Sequence, residues 1–161
     1  MSEETGKDEV TLKVEDVMTL DVITIDENES VKEAADIMNQ QGISCLIAVR
    51  KGKAIGIITE RDLLKRVIVE TKNAKKTKVK EVMSSPLEVV APGTSMESAL
   101  HLMFEKKIKK LAVVDKKRLL GLVSLTDIAR CQPAIINMLK VFAAAKSTPK
   151  SMKKVLDYYI V

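Results

Sequence analysis

The sequence predicts an α+β fold in which two similar β-α-β-β-α units stand in tandem, followed by a helical extension. The first observation is a self-similarity at a spacing of 65 residues, in which Gly56 recurs as Gly121 without a gap in the apolar pattern between them. The second is that both copies close on Gly-x-x-(Ser/Thr)-x-x-Asp, ending at Asp62 and Asp127. A repeat of this length is too long for a solenoid unit and too short for two large domains.

Composition limits the fold and the classes of function. A chain of 161 residues suits one domain or two intimate halves, and its hydrophobic content of 46% is ample for a core. Aromatic residues make up 2% and tryptophan is absent, so this core is predicted to be aliphatic. The net charge of +5 would assist contact with an anionic ligand or nucleic acid without requiring either.

Few residues are available for metal or nucleophilic chemistry. Cys45 and Cys131 are isolated, so neither a disulfide framework nor a zinc site is indicated. His101 is the only histidine, which excludes His-based triads and multi-His metal sites. We find no apolar run long enough to span a bilayer and no signal peptide, and we expect a cytoplasmic protein with no required cofactor or metal.

The first unit is predicted over residues 13–70, after a flexible polar lead-in at residues 1–12. Ser30 is expected to cap a helix whose core face carries Val31, Ala34 and Met38, and Gly42 ends that helix. The predicted elements are a helical turn at residues 14–18, strands at 22–25, 45–49 and 54–58, and a closing helix at 60–70.

A linker and a second unit follow in the same order. Residues 71–78 form a Lys-rich linker without aromatic residues, which favours a solvated segment over a nucleic-acid patch. The second unit covers residues 79–132, with strands at 87–90, 111–114 and 119–123, a helix at 95–107 and a short closing helix before Pro133.

Residues 133–161 are predicted to form a helical hairpin that packs on the pair or on a neighbouring subunit. A partner-recognition helix or a membrane-surface helix is the alternative. The apolar faces are Ile135, Met138, Leu139 and Phe142 before the break at residues 147–149, and Met152, Val155, Leu156 and Tyr159 after it.

The closing motif of the second unit supplies polar groups where a strand meets a helix. The hydroxyls of Ser124 and Thr126 lie where backbone N–H groups are unpaired, a position that suits phosphate, and Asp127 could accept from a sugar diol. The alternative is that these residues only cap the helix, as Ser, Thr and Asp commonly do.

Two such units, each opening with Val-Met and closing on the shared motif, resemble a cystathionine-beta-synthase (CBS) domain pair, or Bateman module. The resemblance covers about residues 12–132, and residues 108–127 look especially like nucleotide-binding repeats of the gamma subunit of AMP-activated protein kinase. It implies two units packed about a pseudo-twofold axis, with two equivalent clefts that commonly bind AMP, ADP, ATP or S-adenosylmethionine.

The resemblance implies specific roles in a cleft that we name the Asp127 cleft. Asp127 would bind the ribose hydroxyls, Ser124 and Thr126 would hold ribose and phosphate, and Lys109 would contact phosphate. The adenine would lie against Ile23, Ile43, Ser44 and Leu122.

The pseudo-equivalent Asp62 cleft would be formed by Asp62, Thr59, Arg61, Ile57 and Ile108 with the strand at residues 87–90. Ser44 stands at the repeat position of Lys109, so this cleft is expected to lack that basic residue unless Arg61 replaces it. The two clefts should therefore differ in affinity, with the Asp127 cleft favoured.

The resemblance implies a non-catalytic regulatory module that senses an adenosine nucleotide and signals in trans to an unidentified effector protein. A homodimer through the module helices is expected, because several apolar residues lie off the core-facing sides of those helices. These are Ile37, Leu64, Val67, Ile68, Leu102 and Phe104.

Two other functions compete with this interpretation. One is a nucleic-acid-associated protein that uses the lysine-rich surface, although it lacks stacking aromatics and carries 22 acidic residues. The other is a ligand-free structural dimerisation module. An enzyme is not expected, since the motifs supply no acid/base pair, metal cluster or activated nucleophile.

Overall fold

The structure is a computed structural model that describes residues 11–131, 135, 140–141 and 144–160. Most of the predicted lead-in, and the predicted face of Met138, Leu139 and Phe142, lie outside these residues, as do the side chains of Leu156 and Tyr159. The elements are α1 (Val14–Val17), β1 (Thr24–Asp26), α2 (Val31–Gln41), β2 (Cys45–Arg50), β3 (Lys53–Thr59), α3 (Glu60–Leu63) with a π-helical continuation (Leu64–Ile68), α4 (Val79–Val82), β4 (Val89–Val90), α5 (Met96–Lys106), β5 (Lys110–Asp115), β6 (Arg118–Ser124), α6 (Leu125–Cys131) and α7 (Lys150–Ile160).

Each repeat builds a three-stranded sheet, and the two sheets have the same topology. In the first, β1 pairs parallel with β2 and β2 pairs antiparallel with β3; β4, β5 and β6 repeat this order. Both hairpins shift register at equivalent places, after Ala48 and after Val113. The predicted α+β fold with two β-α-β-β-α units is confirmed.

Local chemistry sets the ends of α2 as the sequence predicts. The Ser30 side chain accepts a hydrogen bond from the Glu33 N–H at 3.1 Å, which satisfies one of the unpaired donors at the helix start. Gly42 ends the helix in the left-handed conformation with φ 63°, a region that glycine enters without steric cost. The crossover between the parallel strands β1 and β2 is therefore fixed at both ends.

The segment that opens each repeat, α1 in the first and α4 in the second, packs on the core of the other half of the molecule. Val14 of the first repeat is buried in the core of the second, and Val79 and Val82 of the second repeat are buried in the core of the first. A backbone hydrogen bond of 2.9 Å holds each segment in place. One runs from the Val14 N–H to the Thr94 carbonyl, and the other from the Val79 N–H to the Glu29 carbonyl. Each folded half therefore contains parts of both sequence repeats.

The C-terminal extension packs on the second half. Ile135 and Met152 are buried in its core, and Val155 packs against that core. Met152 has no exposed surface, and α7 contacts α6 directly. The expected packing of the extension on the pair is thus observed for these residues.

The helix that closes the first repeat differs from expectation in its second half, which is π-helical over Leu64–Ile68. Val67 was expected off the core face, but it is 2% exposed and belongs to the first core, because the wider π turn rotates it inward. Leu64, Ile68 and Val69 remain 56%, 65% and 70% exposed. Three other residues expected off-face, Ile37, Leu102 and Phe104, are half-buried against their cores.

Candidate functional site

A cleft of about 650 Å³ opens between the two halves at the Asp127 end of β6. Its walls come from both repeats: the segment before β1 and the starts of β2 and α3 on one side, and the start of β5, the end of β6 and α6 on the other. Six residues predicted from the sequence line it, namely Ile23, Ile43, Ser44, Leu122, Ser124 and Asp127. The structure therefore brings together the predicted aliphatic wall and the predicted polar group.

Ser124 and Asp127 cap α6 reciprocally at the edge of this cleft. The Asp127 N–H donates to Ser124 Oγ at 3.1 Å, and the Ser124 N–H donates to Asp127 Oδ2 at 2.9 Å. These bonds hold the Asp127 side chain rigidly where the strand meets the helix. Capping and ligand binding are compatible, because a carboxylate whose Oδ2 serves the cap can still accept through Oδ1.

The first repeat carries the same cap. The Thr59 N–H donates to Asp62 Oδ2 at 2.9 Å, and the Asp62 N–H donates to Thr59 Oγ1 at 3.2 Å. Asp62 Oδ1 also lies 3.6 Å from Arg66 Nη1. Because both repeats use the motif as a helix cap, the cap alone does not mark a ligand site. The residues that line the cleft have to be considered as well.

Lys110 lines the Asp127 cleft, whereas the sequence interpretation predicted that Lys109 would do so. Lys110 Nζ donates to Ser44 Oγ across the cleft at 3.1 Å. Lys109 is half-buried, and burial lowers its pKa, with further lowering by the neighbouring charges of Lys110 and Arg61. Lys109 precedes β5, which begins at Lys110, and it is not among the residues that line this cleft.

The remaining predicted residues lie outside the lining of the Asp127 cleft. Thr126 is half-buried in the first turn of α6, and Ile108 packs against the second core. Ile57 exchanges backbone hydrogen bonds with Ser84, at 3.0 and 2.9 Å. The Asp62 cleft, with Ile57, Ile108, Thr59, Arg61 and Asp62, stays a prediction.

Sequence reasoning missed nine residues that line the cleft, and those with a titratable side chain are Asp21, Cys45, Glu60, Lys110 and Arg130. Burial raises the pKa of the Cys45 thiol, an effect that Lys110 opposes and Glu60 reinforces. Cys45 therefore forms an uncharged part of the wall. A signal for Lys110 and Cys45 was available, because they occupy equivalent positions at the starts of β5 and β2.

Gly121 allows the two halves to meet at the floor of the cleft. A Cβ at this position would lie 2.7 Å from the Thr19 carbonyl oxygen and 2.8 Å from Met18 Sδ. Thr19 and Leu122 exchange backbone hydrogen bonds at 2.8 and 3.0 Å in this crossing. Both Thr19 and Leu122 line the cleft, so the close approach at Gly121 sets its shape.

Two kinds of feature are missing from the part of the chain that the structure describes. Its His, Cys, Asp and Glu side chains form no group of three or more that could hold a metal ion. Among the same residues, no helix combines the length and apolarity needed to cross a membrane.

The CBS domain family matches two segments, residues 14–69 and 79–133, which together cover most of the chain. The chain belongs to the CBS domain family. The two matches coincide with the two repeats that form the halves of the molecule, so the protein is a CBS pair.

Curated relatives agree with this assignment. The CBS domain-containing protein YhcV of Bacillus subtilis is 36% identical over 116 residues, which are 72% of this chain and 82% of YhcV. The uncharacterized protein MK0525 of Methanopyrus kandleri is 34% identical over 128 residues, 78% of this chain. The match spans 65% of the length of MK0525.

A solved structure with the same fold contains adenosine ligands. The CBS domain pair of protein MJ0100, in complex with 5′-methylthioadenosine and S-adenosyl-L-methionine, is 29% identical to this chain. The similarity has a TM-score of 0.68 and covers 74% of this chain and 94% of that pair.

Proposed function

We propose that this CBS pair is a non-catalytic regulatory module that binds an adenosine ligand in the Asp127 cleft and signals to an effector protein in trans. The observation that carries the proposal is the lining of the cleft, which joins an aliphatic wall to a rigidly held carboxylate and a lysine. A volume of about 650 Å³ is in the usual range for small-molecule sites.

Each part of an adenosine ligand has a counterpart in this lining. The flat adenine suits the slot between Ile23, Ile43 and Leu122, because these apolar side chains exclude water from its faces. The ribose diol suits Asp127, since charge-assisted hydrogen bonds to a carboxylate are the stronger kind. The MJ0100 pair supports the ligand class, because it is a CBS pair in complex with two adenosine compounds.

The position of the cleft suggests how occupancy would be transmitted. A ligand would contact residues of both halves, and Lys110 already bridges from the second repeat to Ser44 of the first. A ligand that binds one arrangement of the halves better than another shifts the population toward that arrangement. An effector that recognises the surface of one arrangement would then respond to the ligand.

Asp127→Ala tests the ribose assignment. We expect the substitution to weaken binding in the Asp127 cleft by about 1–3 kcal/mol, because a charge-assisted acceptor is lost. Isothermal titration calorimetry with S-adenosylmethionine, 5′-methylthioadenosine, AMP and ATP measures the change. A thermal-shift screen of the same compounds finds the ligand first, since a ligand that binds only the folded state raises the melting temperature.

Asp62→Ala is the matched control, because it removes the same capping contacts from the other repeat. Binding that depends on Asp127 should persist in the Asp62→Ala protein. An equal loss in both variants would show that the carboxylate acts through the cap and the fold, and would contradict the ribose assignment. No binding of any of the four compounds to the wild-type protein would contradict the proposed function.

We also propose that two copies associate through the exposed apolar side chains on the closing helix of the first repeat. Leu64, Ile68 and Val69 are 56%, 65% and 70% exposed on this short segment, an arrangement that soluble monomers usually avoid. Light scattering at micromolar concentration should give twice the chain mass, and Leu64→Asp/Ile68→Asp should lower it. A wild-type mass near 17.8 kDa would refute the homodimer.

A further inference from the structure

The Asp127 cleft carries more acidic than basic side chains. Its lining includes the three carboxylates of Asp21, Glu60 and Asp127, against the two cations of Lys110 and Arg130. A cleft built for a polyphosphate would be expected to hold an excess of cations, because each phosphate brings one or more negative charges. Here the formal charge of the side chains is negative before any ligand enters.

The lysine in the cleft is already engaged. Lys110 Nζ donates to Ser44 Oγ at 3.1 Å. Lys110 and Glu60 both line the cleft with Cys45, and Lys110 lowers the pKa of the Cys45 thiol whereas Glu60 raises it. The Glu60 N–H also donates to the Ser44 carbonyl at 3.0 Å, which holds the backbone of Glu60 beside Ser44. A phosphate at Lys110 would therefore meet the Glu60 carboxylate as well.

The added acids are not needed by the repeat fold. At the spacing of 65 residues, Asp21 corresponds to Pro86 and Glu60 corresponds to Leu125, whereas Asp127 corresponds to Asp62. The second repeat folds with a proline and a leucine at these two positions. Asp21 and Glu60 are both exposed, and both line the cleft.

We propose that Asp21 and Glu60 make the Asp127 cleft select its adenosine ligand by charge, favouring a neutral or cationic 5′ substituent, such as a thioether or a sulfonium group, over a phosphate chain. The proposal rests on the proposed function, because it concerns the ligand of the same cleft. The physical reason is that like charges at a partly solvated site repel, and that a cation there is attracted by the same carboxylates.

The test is calorimetry of the full chain with 5′-methylthioadenosine, S-adenosylmethionine, AMP and ATP in a buffer without divalent cations. Only binding that Asp127→Ala weakens is assigned to this cleft. We expect the neutral and cationic compounds to bind at least about tenfold more tightly than ATP, which corresponds to about 1.4 kcal/mol. In Asp21→Asn/Glu60→Gln this ratio should fall by about tenfold, mostly through tighter binding of AMP and ATP.

Glu97→Gln/Glu105→Gln is the charge-matched control, since it removes two exposed carboxylates from α5, outside the cleft lining. Its ligand preference should equal that of the wild type. ATP binding as tight as that of 5′-methylthioadenosine in the wild type, or an unchanged ratio in Asp21→Asn/Glu60→Gln, would overturn this inference and leave the proposed function intact. If none of the four compounds binds, both this inference and the proposed function are overturned.

Discussion

Gly121→Ala is expected to destabilise the pair by about 2–4 kcal/mol and to abolish ligand binding in the Asp127 cleft. The new Cβ would lie 2.7 Å from the Thr19 carbonyl oxygen, which is backbone and held by the paired hydrogen bonds between Thr19 and Leu122. It would also lie 2.8 Å from Met18 Sδ. Relief of the clash has to separate the crossing segments, and both carry residues of the cleft wall.

Chemical denaturation measures the change in the free energy of unfolding, and calorimetry measures the change in ligand affinity. Gly93→Ala is the control, because a Cβ there would meet nothing within 4 Å and the backbone is not in the left-handed region. That substitution should leave stability unchanged or raise it slightly by restricting the unfolded chain. A Gly121→Ala protein as stable as Gly93→Ala would show that the crossing yields easily and does not shape the cleft.

The sequence was sufficient to predict the topology because the deciding signals are local and occur twice. Ser30 and Gly42 set the ends of α2 through a side-chain cap and a left-handed residue, as observed. Continuous apolar runs around Leu46 and Leu111 predicted the two central strands, and both residues are fully buried. Repetition at one fixed spacing then gave the second unit the order of the first.

Which half each segment joins could not be predicted from the repeat. The spacing of 65 residues shows that Val14 and Val79 are equivalent, but it is equally consistent with each packing on its own repeat or on the other. The exchange depends on contacts distant in sequence, such as the bond from Val14 N–H to the Thr94 carbonyl. Propensity and periodicity carry no information about such pairing.

The candidate site could be predicted where the chemistry requires a particular residue type. It could not be predicted where only the position of a residue in the folded chain brings it to the cleft. The aliphatic wall was predicted from the resemblance to CBS pairs, and Asp127 was predicted because a carboxylate at a helix start suits a sugar diol. Lys110 was missed in favour of Lys109, since only the tertiary structure shows which of two neighbouring lysines reaches the cleft. Asp21 and Glu60 reach the cleft only through tertiary proximity, and neither is a fixed position of the repeated motif.

Met152→Ala is expected to destabilise the protein by about 2–4 kcal/mol, the usual cost of removing a large buried side chain and leaving a cavity. Met152 has no exposed surface and lies in the core of the second half with Ile128 and Ala129 of α6. The extension would then be part of the core, although it follows the second repeat. Denaturant unfolding, with the slope compared between variants, measures the effect.

Val141→Ala is the control within the extension, because Val141 is 71% exposed and its truncation should change stability by less than about 0.5 kcal/mol. The effect of Met152→Ala should also reach the ligand, since α7 packs on α6 and α6 begins at the cap that holds Asp127. We therefore expect weaker binding in the Asp127 cleft at temperatures where the variant is still folded. Equal stability of the Met152→Ala and Val141→Ala proteins would show that α7 is only loosely docked, and the second core would then be complete without it.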